Sequence, residues 1–305
     1  MKRLLGRAVR GSCIKIQHSV DRWRHHCLWD KQLSFEDANQ LFVELLSRRD
    51  PFLVGRIGNT EGRIVGEYKF RNARFGRLTK KEAHQNAGMF PVTPEALARF
   101  SEIYWSALQS VNLLGFWQAD FQSDLLVASS PDIKLAPLAS LEPYLHAIPW
   151  SSALAGRRVL VVHPFASTIR AQYESRRALL FDNPFVLPIF DLLTLEPPQT
   201  LAPLTAGYLN WFDALNDLSE LVLKHDFDVA LLGCGAYGLP LGASIKAAGR
   251  QAIHLGGALQ VLFGIRGRRW ENMPRIASMM NESWVRPSVE ETPPSAAMVE
   301  EGCYW

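Results

Sequence analysis

Short apolar runs closed by glycine or charged residues punctuate this chain, with stretches of helical spacing between them. The clearest unit spans Asp226 to Gly264. Val229–Leu232 is an apolar run bounded by Asp228 and Gly233, which predicts a strand buried on both faces. Gly233, Gly235 and Gly238 follow as G-x-G-x-x-G, Pro240 sits near the start of a predicted helix, Gly249 ends it, and 252–255 starts another strand.

The same reading extends along the chain. Ser34, with Asp37 three positions on, predicts a capped helix to about Ser47, with Leu41, Phe42 and Leu45 at helical spacing. PFLVGRI from Pro51 predicts a strand, and Asn59 or Thr60 a cap for the helix carrying Glu61 and Val65. Residues 94–110 read as a helix capped by Thr93, and VNLLGFW (111–117) and DLLVAS (124–129) as short strands. RRVLVVH (157–163) reads as a buried strand entering HPFAST, where Ser167 or Thr168 caps a helix bearing Arg170 and Tyr173. FVLPIF (185–190) is a strand candidate whose Pro188 marks an edge or an end. Tyr208–Lys224 reads as an amphipathic helix with Leu209, Phe212, Leu215 and Leu218 on one side. Strands alternating with helices imply an α/β fold, a Rossmann-like, mostly parallel sheet with helices on both faces in a single main domain.

Composition narrows the function classes. The 305 residues can bury a substantial core, and a net charge of +3 with no basic, aromatic-interleaved stripe argues against a nucleic-acid partner. Cys13, Cys27, Cys234 and Cys303 are scattered without a C-x-x-C pair, which fits a reducing cytoplasm rather than a zinc knuckle or disulfide scaffold. The charge is concentrated at the start. Residues 1–30 form a basic N-terminal segment with interleaved apolar residues, which if helical could lie on an anionic membrane surface. A solvated arm is the equal alternative. Residues 31–285 hold the α/β pattern, and 286–305 form a Pro-, Ser- and Glu-rich tail whose aromatic end, Tyr304–Trp305, hints at docking on the domain.

In parallel α/β sheets ligands sit beyond the C-terminal strand ends. Three polar clusters fall there: Arg56–Glu61, His163–Thr168, and the Gly233 turn with His254-Leu255-Gly256-Gly257. A glycine turn before a helix N-terminus is a ready phosphate site, although its glycines could equally serve close helix–strand packing. The simplest dinucleotide site is excluded, because no acid lies between Asp228 and Glu271 to hold ribose hydroxyls. Arg56 could clamp a phosphate, Glu61 could ligate a metal or act as a base, and the two histidines could move a proton. The plainer alternatives are a Glu61–Arg56 ion pair and hydrogen-bonded structural histidines. Arg266 and Trp270, in the arginine-rich GIRGRRWENMP, are further candidates for phosphate contact.

RIGNTEG after the first strand resembles the R-F-G-D-G-E motif of the GT-D-fold glycosyltransferases, a bacterial family first known as a domain of unknown function. GCGAYGLPLGASIKAAGRQAIHLGG resembles that family's second hallmark, and NAGMFP (86–91) and the closing WVRP…GCYW look like features of a divergent subgroup found with polysaccharide genes. The resemblance covers roughly residues 35–285. It implies transfer of a sugar from a nucleotide-diphosphate donor to a glycan or lipid-linked glycan acceptor in surface polysaccharide synthesis. It further implies a protein in the cytoplasm or peripheral on the inner face of the cell membrane.

Carried onto this chain, the resemblance makes Glu61 and His254 the catalytic candidates. Together with the strand-end clusters and the arginine-rich loop, the donor-binding candidates are Arg56, Gly58, Asn59, His163, Ser167, Gly233, Gly235, Tyr237, Gly256, Gly257, Arg266 and Trp270, of which the resemblance itself carries Arg56, Gly58, Asn59, Gly233 and Gly235. Glu61 and Asn59 take the place of the pair linked to a divalent metal, Mn2+ or Mg2+. Two departures put that cofactor in question: Asn59 is an amide where the family has a carboxylate, and His254 replaces an acid. Two rival functions stay open, another Rossmann-like nucleotide-cofactor enzyme (methyltransferase or dehydrogenase) and a non-catalytic sugar-nucleotide-binding scaffold.

Overall fold

A computed structural model describes residues 25–130, 132–201, 204–294, 296–298 and 302–305. The basic segment before His25 therefore lies almost wholly outside the described residues. The strands are β1 (Phe52–Arg56), β2 (Leu113–Phe116), β3 (Lys134–Pro137), β4 (Arg158–Val162), β5 (Asp191–Leu195), β6 (Val229–Leu232) and β7 (Gln251–His254). They form one sheet in the order β3-β2-β1-β7-β6-β4-β5, with every pairing parallel.

The helices that matter for the site are α1 (Phe35–Arg48), α2 (Asn59–Phe70), α3 (Pro94–Gln109), α4 (Ala166–Arg176), α5 (Trp211–Lys224) and α6 (Gly238–Ala247). Because side chains alternate across a strand, each buried strand feeds two cores. Leu53, Leu114, Leu160, Ala230 and Ala252 face one core with residues of α2, α3, α5 and α6. Val54, Leu113, Val161, Leu231 and Ile253 face the other with α1, α4 and the fully buried Trp150, whose ring stacks on Phe42 at 4.7 Å. Two-sided burial is the reason these strands read as unbroken apolar runs.

Several local expectations hold. The Ser34 hydroxyl accepts from the Asp37 N–H at 3.0 Å and Thr93 caps α3 through Ala96 N–H at 3.1 Å. Others are corrected. DLLVAS is not a strand but lies in the helix Gln122–Val127 and its end. Leu125 and Leu126 are buried while Val127 is exposed, and four apolar residues cannot separate a helical turn from a strand. FVLPIF is not a strand either. The ladder begins one residue later, with Asp191 opposite Arg158, and the Tyr173 hydroxyl binds the 188 and 190 carbonyls instead of a neighbouring strand. β3, ending in Pro137, was not foreseen; it is a short edge strand, where proline is tolerated. α5 starts at Trp211 behind an Asn210 cap, which leaves Leu209 outside it and exposed.

Candidate functional site

A cleft opens beyond the C-terminal ends of β1, β7, β6 and β4, four adjacent strands in the middle of the sheet. It is lined by Arg56, Gly58, Asn59 and Glu61 after β1, by His254, Gly256 and Gly257 after β7, by Gly233 and Gly235 after β6, and by His163 after β4. Parallel strands carry all their exit loops to one rim, so residues far apart in sequence, such as Arg56 and Gly257, converge.

Arg56 is half-buried and, among the described residues, has no ion pair or side-chain hydrogen bond. Its aliphatic stem passes over Gly256, whose φ of +61° suits glycine, and its guanidinium lies 5.1 Å from the Trp117 ring centroid. Trp117 is fixed in turn by its indole N–H, which donates to the Ile57 carbonyl at 2.9 Å. The expected alternative of a structural Arg56–Glu61 ion pair is not what the side chains form. The Glu61 carboxylate instead folds back over Gly58, where a Cβ would collide with it.

Helix α2 is capped by the backbone of Gly58, not by Asn59 or Thr60. The Asn59 side-chain oxygen accepts from the Asp120 N–H at 2.9 Å, and Asp120 is held by Arg63, which also pairs with Glu82 at 2.6 Å. Among the described residues no group of three or more His, Cys, Asp or Glu side chains could hold a metal. Among the described residues Glu61 is the one carboxylate side chain lining the cleft, and the Asn59 oxygen is already engaged. This donor set does not fit a divalent ion held by the protein alone.

The three motif glycines have separate reasons. Gly235 has a left-handed φ of +56°. Gly233 and Gly238 leave room for imidazoles: a Cβ at Gly233 would strike the His163 ring and one at Gly238 the His254 ring. Burial lowers the pKa of His163 to about 3, and burial together with the nearby Arg56 charge lowers that of His254 to about 4, so both are neutral at pH 7. His163 Nδ1 accepts from the Phe165 N–H at 3.0 Å, which puts its proton on Nε2. His254 Nδ1 faces the Leu232 carbonyl at 3.3 Å, which puts its proton on Nδ1 and leaves Nε2 as an acceptor.

Gly238→Ala is therefore expected to cost about 1–3 kcal/mol by overpacking, read as a fall in the urea midpoint. In a Gly238→Ala/His254→Ala protein the loss is expected to be less than the sum of the single losses. Strict additivity would show that the glycine serves something other than the ring.

Four expected site residues lie outside the cleft. The Ser167 N–H, with that of Thr168, is taken by the Glu291 carboxylate at 2.8 and 3.1 Å, so the N-terminus of α4 is already neutralised. Tyr237 is buried, stacked on Trp211 at 4.9 Å, with its hydroxyl 2.7 Å from that of Thr200. Arg266 donates to the Asn281 carbonyl at 2.6 Å, and Trp270 is buried in the core. The cleft gains residues that were not among the expected site residues: Trp117, Gln199, Gln260, Arg269, Tyr304 and Trp305. The arginine-rich loop gave a signal of Arg269 and the odd aromatic ending of the tail one of Tyr304 and Trp305.

No protein-family model matches the chain, and no curated protein matches it. Two solved structures are similar to it. One is a selenomethionine-substituted structure of domain of unknown function 1792, with 15% identity, a TM-score of 0.45, and coverage of 75% of this chain and 78% of that one. The other is described as showing that domain of unknown function 1792 "has a distinct glycosyltransferase fold", with 14% identity, a TM-score of 0.42, and coverage of 74% and 78%. That is the family the two motifs resemble.

Proposed function

We propose that the cleft binds a nucleotide-diphosphate sugar and that the protein transfers the sugar to an acceptor hydroxyl on a glycan or lipid-linked glycan. The observation that carries this reading is Arg56, a half-buried guanidinium that among the described residues forms no ion pair or side-chain hydrogen bond, although its charge acts on the Glu142 carboxyl, set on the same rim as the Gly233–Gly235 turn. A cation and the backbone of a glycine turn lining one space favour a diphosphate. The two motifs that resemble the GT-D hallmarks meet at that place.

In the reaction the acceptor oxygen forms a bond to the anomeric carbon as the bond to the diphosphate oxygen breaks. The electron pair leaves with the nucleoside diphosphate, whose added charge Arg56 and the turn stabilise. Glu61 takes the acceptor proton, and the Nε2 lone pair of His254 is the second acceptor for it. The absent ribose-binding acid after β7, which ends in His254, counts against the dehydrogenase alternative.

A thermal-shift panel of nucleotide-diphosphate sugars, each with and without Mn2+, tests the reading. At least one sugar nucleotide is expected to raise Tm, by about 2.7 kcal/mol of stabilisation at a hundredfold excess over Kd. A shift with S-adenosylmethionine or NAD and with no sugar nucleotide would refute it.

A further inference from the structure

The C-terminal end of the chain forms one wall of the cleft. The Arg268 and Arg269 N–H groups donate to the Trp305 and Cys303 carbonyls at 3.4 and 2.9 Å, the Trp305 indole donates to the Glu291 carbonyl at 3.0 Å, and the Arg269 guanidinium to the Tyr304 hydroxyl at 2.9 Å. Two glycines make room for it. A Cβ at Gly257 would strike the Tyr304 ring and one at Gly267 would press on the Tyr304 carbonyl at 2.6 Å. Neither glycine has a positive φ, so neither is required by backbone conformation. The docked end is thus built into the sequence at sites more than 35 residues away from it.

Gln260 adds a second, independent observation. It is fully buried and lines the cleft. Its Nε2 faces the carbonyls of Ile265, Arg266 and Tyr304 at 3.3, 3.3 and 3.1 Å, which fixes the amide orientation. Its Oε1 has no hydrogen-bond partner among the described residues. A buried acceptor left over calls for a donor from outside the protein.

We propose that Trp305 and Gln260 form the nucleoside-recognising wall of the cleft, Trp305 stacking a planar base and Gln260 Oε1 accepting a hydrogen bond from a base N–H, while Tyr304, whose ring packs under the Arg269 guanidinium at 4.8 Å and against Gly257, holds that wall in place. The Trp305 ring stands edge-on to Phe165 at 5.9 Å and 73°, which makes a corner of aromatic surface beside the cationic Arg56 region. A base is planar and carries an N–H donor, and it is joined to the diphosphate that Arg56 would hold. The inference rests on the sugar-nucleotide reading above.

Calorimetric titration of UDP, GDP and inorganic pyrophosphate into the full chain, a Trp305→Ala protein and a protein lacking residues 302–305 tests it. Loss of a stacking face is expected to weaken the better-bound nucleotide by about 5- to 100-fold, while pyrophosphate, which has no base, binds all three proteins equally. Trp305→Ala decides the matter if the truncated chain does not fold. Unchanged nucleotide affinity in a folded Trp305→Ala protein, or an equal loss for pyrophosphate, overturns this inference and leaves the proposed function standing. If the full chain binds neither nucleotide nor pyrophosphate, both fail together.

Discussion

Glu61→Gln is expected to lower sugar transfer by about 10²- to 10⁴-fold while donor affinity changes little, because the amide keeps the shape of the side chain and loses its basicity. The placement of Glu61 motivates this. Among the described residues it is the one carboxylate side chain lining the cleft, it sits in the first turn of α2, and it lies over Gly58 rather than against Arg56. The measurement is kcat for transfer beside the Kd of the donor. A full rate in the folded variant would remove Glu61 from the chemistry and leave His254 as the proton acceptor. A large rise in Kd with unchanged kcat would make it a binding residue.

Arg56→Ala is expected to weaken nucleoside diphosphate binding by about 10- to 100-fold, the value of one charge-assisted contact of about 1.5–3 kcal/mol. Stability should change little, because among the described residues Arg56 has no ion-pair partner and gives up mainly its packing on Trp117. Arg56→Lys restores charge but not the planar fork, so only part of the affinity returns. Equal Kd values for wild type and Arg56→Ala would show that the diphosphate is held elsewhere. Removal of the Arg56 charge also removes one cause of the low His254 pKa, so the His254 pKa rises in that variant; burial keeps it below its ordinary value.

The two proposed roles are separable because the residues reach the cleft from different elements. Arg56 ends β1 and bears on the leaving group, whereas Glu61 begins α2 and bears on the acceptor. Arg63, which clamps Asp120 and Glu82, holds the loop that in turn holds Asn59. The Asn59 side chain thus has a structural use: its oxygen accepts a backbone N–H.

Much of the fold was legible in the chain itself. β1, β4 and β6 are largely apolar runs because both their faces are buried, and Ser34 and Thr93 announce helix starts through hydroxyls that satisfy N–H groups a few residues away. These are local or period-two properties, which a single sequence carries. The Gln122–Val127 helix and the true start of β5 were not legible, since a short apolar run reads the same in either state until its partners are known.

By itself the sequence determined the parallel α/β class, the four central strands and the Arg56–Glu61, His163 and Gly233–His254 clusters at their ends. The reason is that hydrophobic periodicity and turn chemistry act over a few residues. Tertiary structure alone decided that Ser167 surrenders its N–H to Glu291, that Trp270 and Arg266 face away, and that Gly233 and Gly238 are glycines for the sake of two histidine rings. It alone brought Tyr304 and Trp305 to the cleft. Each of these depends on which long-range neighbour fills a given space, and no spacing along the chain records that.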